Sequence, residues 1–236
     1  MNPIKISAKT LGQLALPNFC PRCFWLRMKM GNKLPWQIFP GIFASIDSYS
    51  KSVVYDYWEA TSSFPRWLDD GMITRPIPTP GHQQFWADDN ETGIRLTGAA
   101  DAIFRAGDGS YVILDFKTAR YTNHQDGLLG MYQTQLCGYA WIAERRGFSP
   151  VSAIGLLYCE PVTKLTEERL MKVVRRDGFV MPFKVRGLQL PLEPETIPPL
   201  LRRAKDILDL PKPPERGDGC KDCQRVDALM TLIKGA

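Results

Sequence analysis

The sequence predicts an α/β fold in which helices flank a central mixed β-sheet. Three patterns support this prediction: an amphipathic helical pattern, a stretch of short strands separated by turns, and a second helical pattern followed by a buried strand. The order of these elements is typical of α/β domains. With 236 residues, the chain has the length of one domain or of one domain with a small appendage.

Composition excludes several other classes of protein. Hydrophobic residues make up 44% and charged residues 23% of the chain, which is typical of a globular protein with a core. No apolar run approaches the roughly 20 residues of a membrane helix, and the first residues lack the features of a secretion signal, so we expect a cytoplasmic location. The net charge of +5 favours anionic partners but does not by itself indicate nucleic-acid binding.

The first half of the chain predicts one helix followed by strands. Apolar residues recur at steps of three and four across residues 41–60, which predicts an amphipathic helix. Three prolines within residues 72–81 predict a loop or an edge segment. From residue 83 to residue 120 the period changes to two, with turn residues at 90–93 and 107–109. We therefore expect an antiparallel meander of three strands there.

The second half of the chain predicts two further helices and additional strands. Residues 128–146 have a helical pattern, and the apolar run 152–159 predicts a short buried strand. Residues 166–190 predict a further hairpin, and residues 195–210 predict a helix with a charged face. A proline-rich tether, residues 211–219, leads to the last pair of cysteines.

Two aspartates and a lysine form the most chemically distinctive pattern. The interval between Asp101 and Asp115 fits a strand, a tight turn and a returning strand, which would bring both carboxylates to one end of the sheet. Asp115 and Lys117 share one face of the second strand because side chains alternate. Paired carboxylates suit Mg²⁺, and a lysine can orient an attacking water or stabilise charge on a phosphate. The pattern is typical of metal-assisted phosphodiester hydrolysis, although a solvated charge pair has the same spacing.

Together with a polar pair on the next predicted helix, these residues resemble a known family. The motif residues, in chain order, are Asp101, Asp115, Lys117, Gln135 and Tyr139. Their order resembles the PD-(D/E)XK nuclease superfamily, and in particular its RecB-type branch, in which the helix after the D-x-K strand carries a Q-x-x-x-Y motif. The resemblance covers residues 41–160. Cysteines outside this region make the chain similar to the iron–sulfur members of the branch, which include CRISPR-associated RecB-like exonucleases and the nuclease domains of helicase–nuclease repair complexes.

The resemblance implies both a fold and an activity. The fold is a restriction-endonuclease-like core over residues 41–210. The activity is Mg²⁺- or Mn²⁺-dependent hydrolysis of DNA by an exonuclease or an overhang-processing enzyme, with single-stranded DNA as the expected substrate and proteins of CRISPR adaptation or DNA repair as expected partners. The implied metal ligands are Asp101, Asp115 and the backbone carbonyl of Phe116. Lys117 is implied to be catalytic, and Gln135 and Tyr139 are implied to support DNA binding.

The first predicted helix departs from the RecB-type pattern. Members of that branch commonly have a metal-binding histidine in a G-x-x-x-H context, whereas this sequence has serine at the matching position of residues 41–45. Neither His82 nor His124 lies in the predicted helix. Two interpretations stay open: the metal is bound by fewer protein ligands, with Asp47 or Glu59 as weak substitutes for the histidine, or the protein is a catalytically weak DNA-binding or assembly subunit that retains the nuclease fold.

Four of the six cysteines form two pairs with identical spacing near the ends of the chain. The pairs are Cys20-x-x-Cys23 and Cys220-x-x-Cys223. Each pair offers two sulfurs from one turn, so together they predict a four-thiolate metal site that joins residues 1–40 to residues 211–236. A cytosolic location favours metal binding over disulfides. The remaining cysteines, Cys137 and Cys159, fit core positions.

The spacing alone allows either zinc or an iron–sulfur cluster at this site. The resemblance favours a [4Fe–4S] cluster that acts as a structural staple. However, the familiar arrangement has one N-terminal and three C-terminal cysteines, rather than two and two. Zinc therefore stays the alternative, including in a zinc-stapled protein without a nucleic-acid role.

Basic and aromatic residues flank both cysteine pairs. Brought together by a metal site, they predict a surface for phosphates and unpaired bases, or a solvated rim around the cluster. These residues are Arg22, Arg27, Lys29, Lys33, Lys212, Arg216, Lys221 and Arg225, with Trp25, Trp36 and Phe39 as the aromatic members.

Overall fold

The computed structural model of the protein describes residues 3–32, 40–68, 71–121 and 127–235. The first elements are β1 (Ile4–Ser7), α1 (Ala8–Gly12), a 3₁₀ turn (Gln13–Ala15), α2 (Pro21–Lys29) and α3 (Gly41–Thr61). The strands that follow are β2 (Ile73–Ile77), β3 (Trp86–Asp89), β4 (Ile94–Thr97), β5 (Ala102–Ala106) and β6 (Tyr111–Lys117). The remaining elements are α4 (Leu129–Arg145), β7 (Val151–Pro161), α5 (Glu167–Val173), β8 (Val174–Arg175), β9 (Gly178–Phe179), β10 (Phe183–Leu190), a 3₁₀ turn (Pro194–Thr196), α6 (Ile197–Asp209) and α7 (Lys221–Lys234).

A mixed sheet forms the centre of the fold, and within the described ranges its strand order is β10-β7-β6-β5-β2. The strands β6 and β7 pair in parallel, with α4 as the crossover between them, whereas the other neighbours are antiparallel. A second sheet has the order β1-β4-β3 and contacts α4. The predicted α/β fold, with a mixed sheet flanked by helices, is therefore confirmed.

Two apolar clusters hold α3 and α4 against opposite faces of the central sheet. Val112 and Phe116 of β6 pack with Val54 of α3, whereas Ile113 packs on the other face with Leu136 of α4. The cluster around α4 also contains residues of β1, α1 and α6. Side chains alternate along β6, so Asp115 and Lys117 lie on the same face as Ile113, towards α4.

The expected meander of three strands is wrong. Residues 83–120 form four strands, which are divided between the two sheets. The hairpin of β3 and β4 pairs with β1, which runs parallel to β4. The chain leaves regular structure at residues 98–101 and then enters the central sheet as β5. Because β1 comes from a distant part of the sequence, a local period of two could not reveal this division.

The expected hairpin over residues 166–190 is present only in part. Thr166 caps α5 by accepting a 3.4 Å hydrogen bond from the backbone N–H of Arg169, and two glutamates in the first turn favour the helix. A short hairpin of β8 and β9 follows, and β10 then pairs with β7. The prolines of residues 72–81 lie in and after β2, which is an edge strand. The other predicted helices and the strand β7 agree with the structure to within two residues.

Candidate active site and four-cysteine cluster

Two aspartates converge where β5 begins and β6 ends. Ala102 of β5 pairs with Leu114 of β6, so Asp101 lies beside the residues that follow Leu114. The backbone N–H of Phe116 donates a 2.8 Å hydrogen bond to Oδ2 of Asp101. The structure thus brings Asp101 and Asp115 to the same end of the sheet, as the interval between them predicts.

Asp115 is buried, with 4% of its surface exposed. Nε2 of Gln135 donates a 3.0 Å hydrogen bond to its Oδ1, and Nζ of Lys117 lies 2.5 Å from its Oδ2. Burial raises the pKa of Asp115 to about 6, with Lys117 acting against the rise and Asp101 adding to it. A carboxylate that is buried beside a second carboxylate is a group that a bound cation would stabilise.

Lys117 is held between an acid and an aromatic ring. Besides its contact with Asp115, its Nζ lies 4.3 Å from the centre of the Tyr132 ring on α4. Its side chain is 17% exposed, so the ammonium group is largely enclosed but still reaches the surface. The lysine therefore contacts the buried carboxylate of Asp115 and keeps a partly exposed side chain.

The polar pair on α4, Gln135 and Tyr139, is linked to Asp115 by hydrogen bonds. Nε2 of Gln135 donates a 2.8 Å hydrogen bond to the hydroxyl of Tyr139, and both side chains are buried. Burial also raises the pKa of Tyr139. Gly98 makes room for this ring, because a Cβ at that position would lie 2.8 Å from it. Gln135 therefore holds Asp115 through one hydrogen bond, and Tyr139 holds Gln135 through another.

Sequence reasoning missed a second lysine in this site. Nζ of Lys51 on α3 lies 2.7 Å from Oδ1 of Asp101 and 2.6 Å from Oδ2 of Asp47. Burial lowers the pKa of Lys51, but the hydrogen bonds to both aspartates outweigh that effect, so the pKa is raised overall. The signal was the i, i+4 spacing of Asp47 and Lys51 on a helix whose Val54 enters the core.

The proposed substitutes for the missing histidine lie in different surroundings. Asp47 is linked to Asp101 through Lys51, whose ammonium group contacts both carboxylates. Glu59 is exposed and lies twelve residues further along α3, about 18 Å at 1.5 Å per residue. His82 is exposed and lies before β3, and His124 lies outside the described residues. Of the three that the structure describes, Asp47 is the residue near the carboxylates.

The oxygen atoms at this end of the sheet are suitable donors for a divalent cation. Carboxylate and carbonyl oxygens are the ligands that Mg²⁺ and Mn²⁺ prefer, and Asp101, Asp115 and the carbonyl of Phe116 offer both types. The buried carboxylate of Asp115 adds a reason for a cation to bind. These donors fit the metal that the motif implies.

The four outer cysteines form one cluster. Cys20 and Cys220 precede α2 and α7, and their partners Cys23 and Cys223 lie in the first turns of those helices. The Sγ atoms of Cys23 and Cys223 are 3.4 Å apart, those of Cys23 and Cys220 are 3.5 Å apart, and those of Cys20 and Cys223 are 3.6 Å apart. All four lie within 4.8 Å of one another. The predicted cluster that joins the N- and C-terminal segments is therefore confirmed.

The surroundings of this cluster favour a thiolate at Cys20, whereas burial raises the pKa of Cys23 and of Cys223. The backbone N–H of Gly217 donates a 3.2 Å hydrogen bond to Sγ of Cys20. Burial raises the pKa of Cys20, but N–H donors from Gly217 and Cys23 outweigh burial and lower the pKa to about 7. The helix N-termini beside both pairs favour negative charge as well. Four thiolates in this arrangement fit a metal centre.

The basic rim of the cluster is partly neutralised. Arg22 and Arg216 both contact Asp227 of α7, at 3.0 Å and 3.4 Å. Nε1 of Trp25 donates a 3.2 Å hydrogen bond to the carbonyl of Leu210, so part of this ring is used in packing. Lys33, Trp36 and Phe39 lie outside the described residues. The last two cysteines, Cys137 and Cys159, are free thiols buried in the core, as predicted.

Comparison with known proteins identifies the family. The model of the PD-(D/E)XK nuclease superfamily matches residues 53–227, which is most of the chain and includes both aspartates, the lysine and the Q-x-x-x-Y pair. The protein therefore belongs to the PD-(D/E)XK nuclease superfamily. Membership indicates a metal-dependent nuclease, that is, a phosphodiester hydrolase, and members of this superfamily use Mg²⁺ or Mn²⁺ and act on DNA.

The other comparisons are more distant. No curated protein sequence matches the chain significantly. A solved structure described as "Crystal structure of SSO0001" is 16% identical, with a TM-score of 0.42, and the alignment covers 89% of this chain and 78% of that chain. This likeness is too weak to support a conclusion. None of the described helices is long and apolar enough to cross a membrane.

Proposed function

We propose that the protein is a RecB-type, Mg²⁺- or Mn²⁺-dependent DNA nuclease. The observation that carries this proposal is the convergence of Asp101, Asp115 and Lys117, in which the Phe116 N–H joins the two acidic segments and Lys117 contacts Asp115. The Q-x-x-x-Y pair under Asp115 supports the assignment to the RecB-type branch.

Each residue has a distinct proposed role. Asp101, Asp115 and the carbonyl of Phe116 hold the metal, which polarises the scissile phosphate and activates water when bound. Lys117 orients the attacking water and stabilises the negative charge that develops on the phosphate. Gln135 of α4 keeps Asp115 in place, because its amide donates a hydrogen bond to Oδ1 of Asp115. The other carboxylate oxygen, Oδ2, beside Lys117, is the one proposed to bind the metal. Tyr139 orients Gln135 by accepting its hydrogen bond, and because the Tyr139 side chain is buried, its proposed support of DNA binding is indirect.

The proposed substrate is single-stranded DNA or an overhang, degraded by exonucleolytic action or trimming. The RecB-type resemblance supports this substrate. Proteins of CRISPR adaptation or of DNA repair are the proposed partners, in the cytoplasm. Neighbouring genes test this assignment, since adjacent adaptation genes indicate the first pathway and helicase genes the second.

We also propose that residues 1–40 and 211–236 form a metal-binding region attached to a nuclease core at residues 41–210. The resemblance favours a [4Fe–4S] cluster, with Zn²⁺ as the alternative. A Zn–S distance of about 2.3 Å places tetrahedral sulfurs about 3.8 Å apart, close to the 3.4–3.6 Å of three of the six sulfur pairs. An iron–sulfur cluster needs wider sulfur spacing, so the sulfur distances favour zinc, whereas the resemblance favours the cluster. Visible absorbance and metal analysis of anaerobically purified protein separate the two: brown protein with iron supports the cluster, and colourless protein with one zinc supports the alternative.

One observation favours a second candidate function, a catalytically weak DNA-binding or assembly subunit. Lys51 places a positive charge on Oδ1 of Asp101, beside the helix that lacks the expected histidine. An internal cation at this position competes with a metal for the same carboxylate oxygen. Salt-sensitive DNA binding without metal-dependent cleavage would support this alternative.

Cleavage of labelled single- and double-stranded DNA with Mn²⁺ tests the proposed function. Wild-type protein is compared with Lys117→Ala and Asp115→Ala, and Lys205→Ala on the outer face of α6 serves as the control. Cleavage by the wild type and the control, but not by the two site variants, is the expected result. Equal cleavage by all four proteins would contradict the assignment, because it would come from a contaminant or from another site.

A further inference from the structure

A basic cleft lies beside the candidate active site, where β7 and β10 meet the base of α5. It encloses about 410 Å³. Its charged lining consists of Arg120, Lys164, Arg169, Lys184 and Glu160. The residues come from the segment after β6, the end of β7, the loop before α5, α5 itself and β10. Four positive charges and one negative charge therefore face a single cavity.

Among the described lining residues, Glu160 is the one acid, so it offsets only part of the positive charge of this cleft. Within the described part of the chain, none of the four basic residues forms an ion pair. All four are exposed. The basic rim of the cysteine cluster differs, since Arg22 and Arg216 share Asp227 there. The cleft thus carries a net positive charge, which attracts anions.

The register of the sheet places the cleft next to the catalytic lysine. Lys117 of β6 lies opposite Tyr158 of β7, and Tyr158 lies opposite Arg186 of β10. Glu160 and Lys184 form the next pair on the same face of the sheet. With a rise of about 3.3 Å per residue and about 4.8 Å between strands, the Cα atoms of Lys117 and Lys184 lie on the order of 12 Å apart. One nucleic-acid strand can therefore contact both.

We propose that this cleft binds the sugar–phosphate backbone of a single DNA strand as it passes the active site. The proposal rests on the proposed nuclease function and adds a substrate track to it. Unpaired lysines and arginines bind phosphates with release of counterions. We assign a single strand as the occupant because the segment that borders the cleft carries an exposed aromatic ring, Phe179, and unpaired bases can stack on such a ring.

The segment of residues 162–182, which borders the cleft, offers a surface for bases. Residues 162–182 leave and rejoin the sheet at the cleft, where the N–H of Val162 donates a 2.9 Å hydrogen bond to the carbonyl of Pro182. Phe179 of β9 belongs to this segment and is 79% exposed. Exposed aromatic rings provide stacking surfaces for the bases of a single strand.

The salt dependence of binding tests the proposal. Fluorescence anisotropy measures the affinity of the full chain for a labelled single-stranded oligonucleotide over a range of salt concentrations, without added divalent cation. The variant is Arg169→Gln/Lys184→Gln. The control is Lys5→Gln/Lys9→Gln, which removes the same charge from exposed positions of β1 and α1. Each lost contact lowers the slope of log K against log[salt] by about 0.7, so we expect the cleft variant to lose about 1.4 and the control none.

The outcomes separate this proposal from the nuclease assignment. Equal slopes for the cleft variant, the control and the wild type would overturn the cleft proposal, as would an equal loss in both variants. A loss seen with duplex but not with single-stranded DNA would overturn it too. Binding needs no cleavage, so a slope change without metal-dependent cleavage contradicts only the proposed nuclease function. Cleavage that depends on Lys117, with unchanged slopes, contradicts only the cleft.

Discussion

The backbone N–H of Phe116 donates a 2.8 Å hydrogen bond to the side chain of Asp101. Since Phe116 lies between Asp115 and Lys117, this bond ties the first acid of the site to the strand that carries the other two groups. The candidate site therefore depends on the pairing of β5 with β6 as much as on its own side chains.

Asp101→Asn should abolish most of the metal-dependent cleavage of DNA. The change keeps the size of the side chain but removes a charged metal ligand, and we expect a loss of at least about 100-fold, or about 2.7 kcal/mol of activation free energy. Steady-state cleavage rates with Mn²⁺ measure it. Asp88→Asn, which breaks an ion pair with Arg95 in the second sheet, is the control. Comparable losses in the two variants would argue against a metal at Asp101.

Gln135→Leu should lower metal affinity and cleavage activity although it replaces no proposed metal ligand. It removes the 3.0 Å hydrogen bond to the buried carboxylate of Asp115, and loss of such a support typically lowers metal affinity or activity 10–100-fold. Titration with Mn²⁺ and cleavage rates measure the effect. Tyr139→Phe leaves the bond from Gln135 to Asp115 in place and should have a smaller effect. A larger effect of Tyr139→Phe would show that the hydroxyl acts directly.

Gly98→Ala should destabilise the fold around Tyr139. The added Cβ would lie 2.8 Å from the ring, so the ring has to move. Such overpacking costs about 1–3 kcal/mol, which lowers the melting temperature of a domain of this size by about 2–12 °C. The control is Gly81→Ala, where a Cβ meets nothing within 4 Å. Thermal unfolding followed by circular dichroism compares them, and equal melting temperatures would be inconsistent with this packing.

Lys51→Met should tighten the binding of a divalent cation. The ammonium group contacts Oδ1 of Asp101, and its removal frees that oxygen and one negative charge. We expect Mn²⁺ affinity to rise about tenfold, or roughly 1.4 kcal/mol. Isothermal titration calorimetry measures it, with Lys205→Met as the control, because that lysine pairs with Asp209 on α6. A fall in affinity would mean that Lys51 instead orients Asp101 for the metal.

Cys223→Ser should remove the metal of the four-cysteine cluster. Cys223 is buried and contacts two of the other three sulfurs, so its loss leaves an incomplete ligand set. We expect the metal content to fall well below that of the wild type and the stability to fall by at least about 3 kcal/mol, or about 6 °C in melting temperature. Metal analysis and thermal unfolding measure both. Cys159→Ser, in the core, should keep the metal, and an equal metal loss there would contradict the assigned ligand set.

Local patterns were sufficient for the features that depend on spacing along the chain. Alternation along one strand puts Asp115 and Lys117 on one face, and the i, i+4 spacing of Gln135 and Tyr139 puts them on one side of α4. The paired cysteines predict a metal site because each turn supplies two sulfur ligands. The same local reasoning divided residues 83–120 incorrectly, since it contains no information about β1.

By itself, the sequence predicted that Asp101, Asp115 and Lys117 lie together and that the four outer cysteines form one cluster, and the structure has both arrangements. The tertiary structure alone decided which distant segments meet. It paired β1 with β4, placed Lys51 of α3 on Asp101, and assembled the basic cleft from five separate parts of the chain. Periodicity tells which face of an element is buried, but the partner on that face is selected by the packing of the whole core, and this selection has no signature in any short stretch of residues.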